Sequence, residues 1–287
     1  NKLKLGHLRG NRFRIRVREV LPEALPACRA TLQALQARGL PNRFGEQRFG
    51  QRSDTHLLGR LALVGDPEAL VRHFLGGPSE AESPTVQEAR RRFEANQWVE
   101  ALAAFPGAMS DERAALEALI RSSGDFRQAA GRIPKRLRRF FVSAYQSYLF
   151  NAVLEHRMPD LDRLQVGDLA MKHENGAVFL VQDAVVEQPR ADRQEISPSG
   201  PLFGHKMTLP EGEPGHLEQA VLAAEGLTLD AFRIGEGLAP KGARRALRVP
   251  LQDVAAAWDG GIVLEFSLPP GSYATVLLGE VMKCPLV

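Results

Sequence analysis

Strand-type periodicity stands at both ends of this chain and helical periodicity fills most of the middle, an order that few folds accommodate. Near the start, Arg12-Phe13-Arg14-Ile15-Arg16-Val17-Arg18 alternates strictly. That pattern puts Phe13, Ile15 and Val17 on the core face of a strand and four arginines on the other face. Four arginines in a row would repel one another unless solvent or an anion screened them. Near the other end, Ala246–Val249 and Gly261–Leu268 read as strands, and Gly271–Met282 is expected to hold the last one. Leu25, Cys28, Leu32 and Leu35 recur at helical spacing, with Pro26 early and Gly39 where a C-cap belongs. Gly59–Val64 reads as a short strand ending at Gly65-Asp66-Pro67.

From Pro67 the pattern turns helical. Pro67–Leu75, Thr85–Leu102, Asp111–Ser122 and Phe126–Gly131 read as four helices separated by Gly, Ser and Pro, and Pro134–Met158 is the strongest helix of all. Val166–Leu169 and Ala177–Val181 read as strands around a turn at Glu174-Asn175-Gly176. Ile196–Gly215, rich in Pro, Gly and Ser, reads as loop, and Leu217–Glu225 and Leu229–Phe232 as helices. The expectation is an α+β fold, a sheet core interrupted by a large, mostly helical insertion. The boundaries drawn are 1–67 and 217–287 for the core and 68–216 for the insertion.

With 44% hydrophobic and 25% charged residues the chain has the composition of a packed globular protein, which excludes the disordered class. No apolar run approaches the length of a membrane span, and no signal-like segment opens the chain. Cys28 and Cys284 make neither a disulfide framework nor a CxxC pair, so a reduced, cytoplasmic setting is expected. The seven histidines are scattered, with no HExxH and no Cys/His cluster, and there is no P-loop and no GxGxxG.

The formal charge of +3 conceals an asymmetry. Residues 1–60 carry 13 Lys/Arg against 4 Asp/Glu, so the remainder of the chain is net acidic. A second basic block sets Arg121, Arg127, Arg132, Lys135, Arg136, Arg138 and Arg139 against Asp125 alone. Such zones either solvate exposed faces or form the footprint of a polyanion. Between them lies Pro41-Asn42-Arg43-Phe44-Gly45-Glu46-Gln47-Arg48-Phe49-Gly50, two aromatics and two arginines among glycines. Aromatic faces interleaved with arginine suit a loop that holds an unstacked base beside its phosphates. The plainer reading is a loop pinned by two buried phenylalanines.

This decapeptide resembles the Asn-x-Phe-Gly-x-Gln-Arg-Phe-Gly signature of the TruD family of tRNA pseudouridine synthases. Three further stretches agree in the family's order: Ser143–Asn151, Ser197–Met207 and Glu265–Thr275. The resemblance implies a pseudouridine-synthase-type mixed sheet core with a family-specific insertion, isomerisation of uridine 13 in tRNA, and no metal or organic cofactor. It also implies that Phe44 stacks on the target base and that Asn42 orients the nucleophilic aspartate. Gln47 and Tyr273 are candidates for lining the site. Arg43 and Arg48, with Arg132, Lys135, Arg136, Arg138 and Arg139, are candidates for gripping RNA. The family's aspartate sits in a Gly-x-Lys-Asp-type segment, and these 287 residues contain none. Asn1–Gly10 reads as the lead-in to a strand, and the aspartate is expected in a segment upstream of Asn1. The alternative is a non-catalytic tRNA- or RNA-binding protein, or a truncated, inactive relative, and the 287 residues alone are expected to bind without catalysis. The expected partner is tRNA, with no membrane and no second subunit.

Overall fold

The computed structural model describes residues 10–235 and 237–283; most of the expected strand lead-in Asn1–Gly10, and Cys284, lie outside them. The chain forms two compact units, one of Asn1–Gly45, Leu149–Thr228 and Lys241–Val287, the other of Glu46–Tyr148 and Leu229–Pro240. These units differ from the boundaries drawn on the sequence: 46–67 and 229–240 go with the helices and 149–216 with the sheets. The chain passes between units inside a single helix, Lys135–Arg157.

In the first unit Asn11–Val17 pairs antiparallel with Ile262–Leu268, which pairs on its other side with Gln252–Trp258. The register sets Phe13 against Phe266, Ile15 against Leu264 and Val17 against Ile262. The rings of Phe13 and Phe266 stack at 5.2 Å. The same register relieves the repulsion among the arginines. Glu265 ion-pairs with Arg12 at 3.1 Å and Arg14 at 3.3 Å, and Asp259 pairs with Arg16. The helices Ala24–Arg38 and Ala274–Met282 complete this core, where Cys28, Leu32, Leu35 and Leu277 meet Leu264 and Phe266.

A second sheet in this unit has the order Val178–Leu180, Leu169–Lys172, Ile196–Leu202, Ala243–Ala246. Leu40–Pro41 and Arg248–Val249 add a short antiparallel pair. Arg244 on the last strand of the sheet makes a two-pronged bond to Glu218 at 2.7 and 2.9 Å, with both side chains buried. Burial pushes the Glu218 carboxyl up, while Arg244 pulls it down. Glu218 stands on the helix Gly212–Ala224, which begins five residues before the expected Leu217.

The second unit is helical. Thr55–Val64, Pro67–Leu75, Pro84–Glu94, Trp98–Ala104, Ser110–Arg121 and Phe126–Arg132 pack with the start of the long helix. Their core gathers Leu58, Val71, Phe74, Phe93, Leu116, Leu119 and Phe141. Asp66, Ser83 and Asp125 cap three of these helices with their side chains, and Pro67 and Pro84 open two of them, the signals expected at helix N-termini.

The α+β expectation is borne out, with several local corrections. Gly59–Val64 is not a strand but the second half of the helix Thr55–Val64, closed by Gly65 in the left-handed region at φ 73°. Six mostly apolar residues carry no decisive period. What selects helix is packing: Gly59 lies so close to the backbone of Phe141 that a Cβ there would overlap its carbonyl oxygen. Gly271–Met282 contains a helix, not a strand, because Leu277 turns into the sheet core. The span Ile196–Gly215 is not all loop, since Ile196–Leu202 is a strand between two partners. Its prolines survive there because Pro198 takes part as an acceptor, its carbonyl receiving the Leu247 N–H at 2.9 Å. Thr85–Leu102 is two helices broken at Asn96, whose φ is 59°. The strand Gln252–Trp258 and the helix Ala184–Asp192, capped by Asp183, are not among the elements expected from the sequence.

Candidate functional site

The boundary between the compact units divides the decapeptide, giving Pro41–Gly45 to the first and Glu46–Gly50 to the second. In the first unit Asn42 follows the short strand Leu40–Pro41 and is 6% exposed. Its backbone N–H donates to Leu247 O at 2.8 Å, and its Nδ2 donates to Ala246 O at 2.9 Å. Its Oδ1 accepts from Arg245 at 2.6 Å and from the Ser272 hydroxyl at 3.3 Å. Asn42 thereby ties together the second sheet, Arg245 and the turn before the last helix.

Phe44 is half-buried and held on every side that these contacts reveal. Asn151, on the long helix, accepts from the Phe44 N–H through Oδ1 at 2.9 Å and donates to the Phe44 carbonyl through Nδ2 at 2.9 Å. One side-chain amide thus mimics a strand partner. The Phe44 ring meets Phe150 edge-on at 5.5 Å and Tyr273 at 6.1 Å. The guanidinium carbon of Arg245 lies 4.2 Å from the ring centroid, close enough for a cation–π contact of about 0.5–1 kcal/mol. Arg245 also donates to the carbonyls of Asn42 at 3.2 Å and Gly271 at 2.8 Å. Gly45 is required by closeness rather than by φ: a Cβ there would stand 2.9 Å from the Thr275 hydroxyl and 3.3 Å from the Tyr273 ring.

Arg245 was not singled out in the sequence reading. Its signal is strand alternation in Ala243-Arg244-Arg245-Ala246. Successive side chains on a strand point to opposite faces. Arg244 therefore reaches Glu218 while Arg245 reaches Phe44. Asn151 lies at the end of the Ser143–Asn151 stretch, with no role that the motif itself implies. A helix residue two positions beyond Leu149 gives no sequence cue that it will clamp a loop more than a hundred residues earlier.

The other expected site residues are placed as follows. Arg43 ion-pairs with Glu155 in the first unit. Tyr273 stands at the N-cap of the last helix, half-buried. In the second unit Gln47 is exposed, and Arg48 is bound to the hydroxyls of Ser147, at 3.0 Å, and Ser143. Arg132, Lys135, Arg136 and Arg139 are exposed there, Arg136 standing 3.5 Å from Asp111. Arg138 donates to Ile133 O at 3.1 Å, and Arg139 to Gly237 O at 2.9 Å. Much of the early positive charge is matched inside the first unit. Besides the strand arginines, Arg38 binds Asp162 at 2.8 Å and the carbonyls of Met158 and Pro159 at 2.6 Å each.

The arrangement around Phe44 can hold a flat heterocycle and attract an anion, because it presents a braced aromatic beside a fixed guanidinium. Asn151, Phe150, Tyr273 and Arg245 are an amide, two aromatics and a cation. None of the four is a carboxylate.

The family described as tRNA pseudouridine synthase D (TruD) matches residues 1–281. The chain is 50% identical over 284 residues to the tRNA pseudouridine synthase D of Geobacter metallireducens, covering 99% of this chain and 70% of that protein. It is 49% identical over 286 residues to the protein of the same name from Geobacter sulfurreducens, again over 99% and 70%. The crystal structure of the putative tRNA pseudouridine synthase D (TruD) from Methanosarcina mazei superposes with a TM-score of 0.86 at 32% identity, covering 98% of this chain and 70% of that one. The fold is therefore of the pseudouridine-synthase type, as the sequence motifs implied.

Proposed function

The chain belongs to the tRNA pseudouridine synthase D (TruD) family, and from that membership we propose that the protein isomerises a uridine in tRNA, uridine 13, to pseudouridine. The observation that carries the reading is the mounting of Phe44, a half-buried ring whose backbone is clamped by Asn151 and whose side chain is braced by Arg245, Phe150 and Tyr273.

The reaction breaks the bond between N1 of uracil and C1′ of the ribose, turns the base, and joins C5 to C1′, the C5 proton leaving for solvent and N1 taking up a proton. The nucleotide must come out of its stack, and the base must stay bound while it is detached. A rigid aromatic platform does this by face contact and leaves the base free to rotate in its own plane. Phe44 is assigned that role. A carboxylate must act at the sugar. By the family pattern it is an aspartate in a Gly-x-Lys-Asp-type segment, which we assign to a part of the protein beyond these 287 residues. One N–H of the Asn42 amide is used by Ala246 O, and we assign the other to orienting that aspartate. Tyr273 of the first unit and Gln47 of the second are assigned to contact with the substrate, and Arg43, Arg48, Arg132, Lys135, Arg136, Arg138 and Arg139 to contact with the RNA backbone. In this reading the sheets with Asn42 and Phe44 are the catalytic core and the helices an insertion. The protein works as a cytoplasmic monomer, which sedimentation of the full-length protein with and without tRNA checks.

The test follows tritium release from tRNA labelled at uracil C5, using full-length enzyme. Base–aromatic stacking contributes about 1–3 kcal/mol, so Phe44→Ala is expected to lower kcat/KM by roughly 5- to 150-fold, with Phe44→Tyr largely active. Full activity in both Phe44→Ala and Asn42→Ala would sink the site assignment. Tight tRNA binding with no tritium release from the unmodified protein would favour the non-catalytic RNA-binding alternative.

A further inference from the structure

The helical unit contains a second aromatic group in a setting suited to a base. Phe140, on the long helix, is 39% exposed, the one phenylalanine among the exposed large hydrophobics of the described residues. It stands four residues after the exposed Arg136, a spacing that puts a basic and an aromatic group on one face of the helix. The Arg48 guanidinium lies 5.1 Å from the Phe140 ring and is held by the hydroxyls of Ser143 and Ser147 on the same helix. The ring is braced by a cation, as Phe44 is in the other unit.

Beside Phe140 opens a pocket of about 200 Å³, lined by Gln51, Arg52, Glu112, Leu137 and Phe141 among others. That is below the ~300–1,000 Å³ of pockets for drug-sized ligands and suits a single ring system. The arginines in its wall are already matched. Arg90 makes a two-pronged bond to Glu82 at 2.8 Å and donates to Phe74 O at 2.8 Å and Gly76 O at 3.1 Å. Arg52 pairs with Asp54 at 2.5 Å and donates to Gly76 O at 3.1 Å. A phosphate would find no surplus positive charge inside, whereas a neutral planar base would find apolar faces and polar edges. The Gln51 amide, whose Nε2 already donates to Ala81 O, can offer a donor and an acceptor to a base edge, and the half-buried Glu112 carboxyl an acceptor. Exposed positive charge stands outside, at Lys135 and at Arg136, which lies 3.5 Å from Asp111.

We propose that this pocket holds a second, non-reacting unstacked nucleotide of the RNA substrate, its base against Phe140 and its phosphates toward Lys135 and Arg136. The proposal rests on the reading that the substrate is tRNA, and it adds a specificity site at which no chemistry occurs.

Phe140→Leu keeps apolar bulk and removes the π-face, and Phe140→Trp restores one. In full-length enzyme, filter binding of tRNA at fixed salt is expected to show Kd raised roughly tenfold or more by Phe140→Leu and returned toward wild type by Phe140→Trp. Tritium release should lose kcat/KM in step. Thermal melts of each variant report the fold. With 4-thiouridine-substituted tRNA, photocrosslinks should map to the Phe140 segment in wild type and disappear in Phe140→Leu. Wild-type binding by Phe140→Leu, or loss that Phe140→Trp fails to rescue in a folded protein, overturns the pocket while leaving the synthase reading intact. Absence of both tRNA binding and tritium release in wild type overturns the synthase reading instead, and the pocket with it.

Discussion

Replacing Asn151 with alanine tests whether the mounting of Phe44 matters to turnover. The Asn151 amide makes two bonds, one to each polar backbone group of Phe44, both at 2.9 Å and in a half-buried setting. A neutral hydrogen bond contributes about 0.5–1.5 kcal/mol net, so losing two costs about 1–3 kcal/mol locally, toward the low end where water can enter. At about 2–4 °C per kcal/mol for a unit of this size, the melting temperature should fall by only a few degrees. Turnover should suffer more, because a misplacement of about 1 Å in a positioned group costs up to ~100-fold. In tritium-release assays of full-length enzyme, Asn151→Ala is expected to lose at least about tenfold in kcat/KM. Asn151→Asp keeps the acceptor for the Phe44 N–H and loses the donor to its carbonyl, so it should fall between. A variant destabilised by a few degrees yet within about twofold of wild-type kcat/KM would refute the argument that the clamp on Phe44 serves catalysis.

Other predictions concern stability. Gly59→Ala forces a methyl against the Phe141 carbonyl and the Tyr145 Cβ, which lies 2.8 Å from the built position. Overpacking against backbone should cost about 3 kcal/mol and lower the melting temperature by roughly 5–10 °C, whereas Gly65→Ala, with nothing within 4 Å, should strain only the left-handed cap. A Gly59→Ala protein melting with wild type would show that the two helices do not approach as closely as described. Burial, reinforced by Arg248, lowers the His173 pKa from 6.5 to about 4. The unfolded chain then binds a proton that the folded chain refuses between those two values, so stability is full above about pH 6.5 and is lost as pH falls toward 4. Because the ring is only half-buried, solvent screening reduces the effect to the order of 1–2 kcal/mol. Urea midpoints measured at pH 7.5 and 5.0 should diverge in wild type and converge in His173→Gln; an unchanged divergence would assign the slope to other groups.

The order of strands around a helical middle was legible because local period records which face of an element meets the core. Phe13, Ile15 and Val17 alternate, and they do face Phe266, Leu264 and Ile262. Short apolar runs were not legible. Gly59–Val64 and Thr275–Met282 carry enough Leu and Val to suit a strand or a buried helix, and only Phe141 and the sheet core decide. Pro198 and Pro201 argued against the strand in which they stand, because the pairing that accommodates them comes from elements distant in sequence.

The site divides along the same line. Phe44 could be singled out from the chain, because two aromatics and two arginines stand among glycines in Pro41–Gly50, and the family resemblance added Asn42 and Tyr273 as candidates. Their mounting could not be. Asn151 reaches Phe44 across 107 positions, and Arg245 reaches Asn42 across 203. The sequence determined which chemical groups the protein has and which elements carry most of them. Tertiary structure alone decided that Arg245 would brace Phe44 while its neighbour Arg244 is buried against Glu218. The physical reason is that strand alternation sends adjacent side chains to opposite faces, and what waits on each face is set by the fold.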